Sequence, residues 1–213
     1  MTKIKVCGIT NLEDALVVID SGCDALGFVF TRSPRTISPE EAQIIIERLP
    51  SSIKKVGVFV NEDILRVKEI AKICRLDLLQ FHGDETPDYC LMFELPIIKA
   101  FRIKDKESMK RLNDYQVAAY LLDSYSEEVY GGTGKGFNWE LAKEAKAFGP
   151  IILAGGLNSS NVTRAIKEVE PYGVDVSSGV EESPGQKDHL KIREFIRVVR
   201  LVSLREEKEA GPL

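Results

Sequence analysis

The chain has 213 residues, 44% of them hydrophobic, enough to bury one substantial core without a second domain. Lys plus Arg number 29 against 33 Asp plus Glu, a net charge of -4, which gives no footing for a nucleic-acid or polyanionic partner. Four widely spaced cysteines form no C-x-x-C pair, and no apolar run approaches the roughly 18 residues that a membrane span needs.

Taken in chain order, short β-branched or apolar runs recur as Ile4 to Val6, Ala25 to Phe30, Lys55 to Val60, Leu78 to Phe81, Ile97 to Ala100, Ala118 to Leu122, Ile151 to Leu153 and Val174 to Val176. Amphipathic stretches separate them, among them Asn11 to Asp20, Pro39 to Leu49, Glu62 to Cys74 and Asn158 to Val169. Thr10-Asn11 and Ser38-Pro39-Glu40-Glu41 carry helix-start chemistry, with Pro placed in a first turn. Gly22 and Gly149 read as helix terminators, and Arg102 to Arg111 reads as a solvated helix face. The alternation of buried strand and helix implies an α/β fold, either an open doubly wound sheet or a closed eight-stranded barrel. One domain spans 1–204, followed by a charged tail, 205–213, expected to fray. The N-terminus enters its first strand directly and lacks signal-peptide features, so a cytoplasmic location is expected.

On the barrel reading, the informative positions lie where each apolar run stops, because the loops there form the active face. Cys7, Arg35, His82, Asp123 and Asp175 all stand at or just beyond such stops. Glycines gather late in the chain on the same face, in Gly131-Gly132-Thr133-Gly134-Lys135-Gly136, Ala154-Gly155-Gly156-Leu157 and Ser177-Ser178-Gly179-Val180. Backbone N–H groups in such loops approach an anion closely, and loops after the seventh and eighth strands commonly hold a phosphate, so a phosphate ester is the expected ligand. Neither nucleotide motif fits. Val129 replaces the first glycine of a P-loop, and Phe137 stands at the third glycine of a dinucleotide fingerprint. His82 and His189 belong to no metal-ligand spacing, and no G-x-S-x-G elbow is present, so neither a metal nor a serine hydrolase is expected.

Lys5-Val6-Cys7-Gly8-Ile9-Thr10 resembles the opening of the phosphoribosylanthranilate isomerases. The resemblance continues in order through Gly27-Phe28-Val29-Phe30, Ser33-Pro34-Arg35-Thr36-Ile37-Ser38, Gly57-Val58-Phe59-Val60-Asn61 and Leu79-Gln80-Phe81-His82-Gly83. Leu122-Asp123, the three glycine segments, Asp175 to Glu181, Pro184-Gly185 and Lys187-Asp188 complete it. Ala154, Gly136 and Asn138 depart from the Ser, Thr and Asp common in that pattern.

The resemblance implies a single-domain (β/α)8 barrel and a cofactor-independent Amadori rearrangement of N-(5-phosphoribosyl)anthranilate. By the same resemblance, Asp123 is the general acid that opens the furanose ring, and Cys7 is the base that takes the sugar C2 proton. Arg35 would pair with the anthranilate carboxylate, and His82 and Asp175 would touch substrate. The phosphate would lie against Gly155, Gly156, Ser178 and Gly179, with Gly132 and Gly134 in a loop acting as a lid. The partner is then a small phosphosugar carrying an anthranilate group, with no nucleic acid or membrane, and the protein is a monomer or homodimer.

Two rival readings stand beside this one. The related sugar isomerase of histidine biosynthesis performs the same chemistry on a substrate with two phosphates, but would carry a carboxylate where Cys7 stands. A non-catalytic metabolite-binding barrel would have no need of both Cys7 and Asp123. Cys23, Cys74 and Cys90 read as small buried hydrophobes, and His189 as an exposed residue at the start of the last helix.

Overall fold

The computed structural model describes residues 1–124 and 139–209. Eight parallel strands pair in chain order and close on themselves: β1 Lys3–Cys7, β2 Ala25–Val29, β3 Lys54–Phe59, β4 Leu78–Phe81, β5 Ile97–Ile103, β6 Ala119–Ser124, β7 Ile151–Leu153 and β8 Gly173–Val176. Closure removes every sheet edge, which is what decides for the barrel over the open sheet. β1 meets β8 with Lys5 opposite Asp175, and meets β2 with Cys7 opposite Gly27.

The helices α1 Leu12–Asp20, α2 Pro39–Ile46, α3 Ile64–Ile73, α4 Pro87–Cys90, α5 Lys106–Lys110, α6 Trp139–Ala145, α7 Val162–Val169 and α8 His189–Glu209 surround the strands. Local chemistry sets their starts. The Asn11 side chain accepts from the Asp14 N–H, and Ser38 with Glu41 forms a reciprocal capping box with Pro39 in the first turn. Gly22 and Gly149 follow helical segments with positive φ, 96° and 149°.

Period-two alternation sorts each strand into two faces. Ile4, Val6, Leu26, Phe28, Leu79, Phe81, Tyr120, Leu122, Val174 and Val176 turn outward into the helix layer. Val56, Ile98, Ala100, Ala119, Leu121 and Ile152 form a separate apolar cluster that fills the barrel interior. Phe28 has no exposed surface, and truncating such a residue to alanine costs about 3–5 kcal/mol.

α8 fastens the two ends of the chain together. Arg200 donates to the carbonyls of Thr2 and Gly22 and to the Asp24 carboxylate, which also accepts from the Ile4 N–H and Lys3.

Three sequence expectations need correction. Arg102 and Ile103 belong to β5, and the helix expected over 102–111 is only α5, followed by a 3-10 turn at Arg111–Asp114. Ile103 and Met109 are buried, so that stretch is not a uniformly solvated face; its charges alternate with core residues and hide the apolar period. The tail boundary drawn at 205 falls inside α8, which runs to Glu209. α7 starts at Val162 rather than Asn158, because Asn158 instead accepts from the Ser160 N–H in the preceding turn.

Candidate active site

The inward positions at the C-terminal ends of the strands carry a polar set above the apolar interior. Lys5 and Cys7 come from β1, Gln80 and His82 from β4 and the residue after it, Asp123 from β6, and Asp175 from β8. Sequence reasoning placed Cys7, His82, Asp123 and Asp175 here, and the structure brings them to one mouth. The same alternation that buries Ile4 and Val6 against the helices turns Lys5 and Cys7 inward together.

Cys7 is half-buried, and its carbonyl is held by Lys187 Nζ at 2.7 Å and Ser177 Oγ at 3.1 Å. Burial pushes the thiol up from its ordinary value; Lys5 and Lys187 pull the other way, while Asp175 adds to the rise. Gly8 follows at φ 78°, and a β-carbon there would sit 2.6 Å from Cδ of Arg35. The absence of a side chain at Gly8 therefore lets the Arg35 stem lie across the end of β1.

The guanidinium of Arg35 makes two bonds of 2.7 Å to the two carboxylate oxygens of Glu181. Glu181 opens the hairpin β9 Glu181–Ser183 and β10 Gln186–Lys187, and also accepts from Lys187 at 2.8 Å. Burial raises the Glu181 carboxyl, but Arg35 and Lys187 outweigh it and hold the group below its ordinary value. Among the described residues, the second terminal nitrogen of Arg35 bonds to no protein group, so it is open to a ligand.

Asp123 is about a quarter exposed, and its carboxylate lies 3.1 Å from His82 Nε2. The other His82 nitrogen faces the Gln80 amide nitrogen at 3.3 Å. With that amide donating, Nε2 carries the imidazole proton and donates it toward Asp123. His82 thus meets Asp123 directly, a contact the sequence did not indicate.

Asp175 pairs with a neighbour from the first strand. It is buried, and one of its oxygens accepts from Lys5 Nζ at 2.9 Å; the other has no hydrogen-bond partner among the described residues.

Gly155 and Gly156 follow β7 with φ of 77° and 66°, and Ser178 and Gly179 sit in the 3-10 turn after β8. The two loops interlock, since a β-carbon at Gly179 would collide with the Leu157 carbonyl. Asn158 and Asn161 donate to the Gly156 carbonyl, and the N–H groups of Gly155, Gly156, Ser178 and Gly179 donate to no carbonyl among the described residues. Free N–H groups from two adjacent loops suit a tetrahedral anion. Gly132 and Gly134, with the expected lid, lie outside the described residues.

Sequence reasoning left Lys5, Gln80, Glu181 and Lys187 without a role. A signal was present for the first two: a cation or amide inside an otherwise apolar strand, in phase with the inward face. His189 is only partly exposed and lies 2.8 Å from Asp14, which also accepts from the Lys187 N–H. That contact ties the hairpin to α1. Among the described residues no three His, Cys, Asp or Glu side chains come together to hold a metal ion, and no helix is long and apolar enough to cross a membrane.

Comparison with known proteins gives one answer. The family model described as N-(5'-phosphoribosyl)anthranilate (PRA) isomerase matches residues 4–198. A Geobacter sulfurreducens N-(5'-phosphoribosyl)anthranilate isomerase is 56% identical over 198 residues, covering 92% of this chain and 98% of the relative. The crystal structure of phosphoribosyl anthranilate isomerase from Thermotoga maritima superposes with a TM-score of 0.86 at 43% identity, covering 94% of this chain and 99% of that one. A phosphoribosyl anthranilate isomerase in complex with reduced 1-(o-carboxyphenylamino)-1-deoxyribulose 5-phosphate superposes with a TM-score of 0.84 at 40% identity, covering 94% and 99%.

Proposed function

The chain belongs to the N-(5'-phosphoribosyl)anthranilate isomerase family, and from that premise we propose how its barrel mouth performs the reaction. The chain is an isomerase of tryptophan biosynthesis that converts N-(5-phosphoribosyl)anthranilate to 1-(2-carboxyphenylamino)-1-deoxy-D-ribulose 5-phosphate.

In this reading the substrate phosphate rests on the free N–H groups of Gly155, Gly156, Ser178 and Gly179. The anthranilate carboxylate meets the open nitrogen of Arg35, whose other two donors Glu181 has already fixed. The ribose then spans Cys7 and Asp123. Asp123 gives a proton to the ring oxygen, the C1–O bond breaks, and the aniline nitrogen lone pair forms the Schiff base. Cys7, as thiolate, takes the C2 proton, and the resulting enolamine tautomerises to the aminoketose. Protons move and no electrons leave the substrate, so acid and base suffice without a cofactor. His82 orients the Asp123 carboxyl through its Nε2 proton. The enzyme works in the cytoplasm as a monomer or homodimer.

The observation that carries the reading is the placement of Cys7 and Asp123 at one mouth between a clamped guanidinium and a set of free backbone donors. The test is loss of the anthranilate fluorescence of freshly generated substrate, with an excess of the product-consuming synthase. Cys7→Ala and Asp123→Asn are each expected to lower turnover by roughly 10²- to 10⁴-fold while product-analogue binding persists. Near-normal turnover in either variant removes that residue from the mechanism.

A further inference from the structure

Lys5 is a charged residue at the centre of β1 with almost no exposure, and the acid–base chemistry above does not use it. A buried ammonium is costly unless it is paired and aimed. Its partner is Asp175, opposite it in the β1–β8 register, at 2.9 Å. Its aim is set by strand period: Lys5 and Cys7 are two residues apart and share the inward face. Gly27, paired with Cys7 across β1–β2, supplies the space. A β-carbon there would stand 2.9 Å from Cys7 Sγ and 3.0 Å from Lys5 Nζ, so both atoms border the volume a side chain would fill.

We propose that Lys5 is a positioning residue for the base: anchored by Asp175 and given room by Gly27, its ammonium stands against Cys7 and favours the thiolate that takes the C2 proton. The inference rests on the reading of Cys7 as the base. Asp175 belongs to this device and acts through Lys5 rather than on substrate.

The electrostatics set two opposing influences at Cys7. Burial works against the Lys5 ammonium, yet Asp175 and Cys7 together hold it above its ordinary value, so it stays charged. At Cys7 burial dominates and leaves the thiol above its ordinary value, and Lys5 is the largest of the influences that oppose it. The other charges around Cys7 are Lys187 from β10, Arg35 from the loop after β2 and the Asp175 carboxylate itself; His82 and Asp123 act on Asp175 from across the mouth. Lys187 and Arg35 act on the sulfur only through their charge, whereas Lys5, though paired with Asp175, also hydrogen-bonds it.

The test compares wild type, Cys7→Ala, Lys5→Met and the neutral-pair variant Lys5→Met/Asp175→Asn, reading turnover against pH and the rate of iodoacetamide alkylation at Cys7. Cys23, Cys74 and Cys90 are buried, with thiols pushed by burial to about 12, 11 and 11, so labelling at moderate pH reports on Cys7. Both Lys5 variants are expected to lose roughly a hundredfold in kcat at neutral pH with KM nearly unchanged. The base limb of the profile and the alkylation midpoint should both move up by about one to three pH units. The double variant removes the unpaired buried carboxylate that Lys5→Met alone would leave, so it answers if the single variant does not fold. An alkylation midpoint that stays in place in a folded variant overturns the inference whatever happens to kcat. Retained turnover in Cys7→Ala would instead overturn the assignment of the base.

Discussion

Glu181 holds Arg35 through two parallel hydrogen bonds of equal length, 2.7 Å, and the same carboxylate neutralises the buried Lys187 ammonium that grips the Cys7 carbonyl. One side chain of the C-terminal hairpin therefore positions both the Arg35 guanidinium and, through Lys187, the backbone of Cys7. Glu181→Gln should raise KM about tenfold through a misplaced Arg35, with a smaller effect on kcat. Glu181→Ala should in addition destabilise the fold by about 3–5 kcal/mol, because Lys187 is left buried without a counter-charge. Steady-state kinetics and urea unfolding separate the two effects.

His82 touches Asp123, the acid of the proposed mechanism, and its removal should act on kcat. His82→Ala takes away the proton donated to Asp123 and is expected to lower kcat by roughly tenfold with KM little changed. A rise in KM alone would instead make His82 a substrate-binding group, the role first expected of it.

Gly179 is required by a neighbour rather than by its own backbone. A methyl group there collides with the Leu157 carbonyl, which cannot yield as a flexible side chain could. Gly179→Ala should push apart the two loops proposed to hold the phosphate, raising KM and weakening inhibition by inorganic phosphate by about tenfold. Overpacking of this kind costs about 1–3 kcal/mol in stability, which thermal unfolding would register.

Acid should loosen the molecule at two identifiable carboxylates. Burial raises Asp24, but the Ile4 N–H, Arg200 and Lys3 overcome it and hold the group below its ordinary 3.8; Glu181 is likewise held below 4.5. A carboxyl lowered in the folded state contributes stability that is fully present above its unfolded value and lost as pH falls through the folded one. The urea midpoint should therefore fall steadily as pH drops below about 4. Asp24→Asn and Glu181→Gln should each flatten that slope, and a slope unchanged in both variants would assign acid sensitivity elsewhere.

Much of the barrel is legible in one dimension because each strand must bury two faces and each helix one. Leu78 to Phe81 and Ile151 to Leu153 have the same limits in sequence and structure, and Asn11 and the Ser38–Glu41 box fix helix starts within a few residues. The sequence reading ends β5 at Ala100 because Arg102 interrupts its apolar run; Lys99, inside the run, is buried through bonds to Glu85 and to the carbonyls of Phe81 and Gly83. A buried cation is indistinguishable from a surface one until its partners, here 14 to 18 residues away, are brought to it.

The same distinction divides the site. Cys7, Arg35, His82 and Asp123 were identifiable because motif order and strand ends depend on neighbours along the chain. Three facts needed tertiary structure: that Asp175 faces Lys5, that Glu181 clamps Arg35, and that Gly27 makes room for sulfur and ammonium together. Each joins residues separated by tens to more than a hundred positions, 170 for Lys5 and Asp175 and 146 for Arg35 and Glu181. Sequence alone placed Cys7, His82, Asp123 and Asp175 at the mouth, since strand period and loop position are local, but gave Lys5, Gln80, Glu181 and Lys187 no role there. Closure of the barrel decided which charges meet out of water, and in a low-dielectric interior that pairing sets whether a thiol or a guanidinium is ready to act.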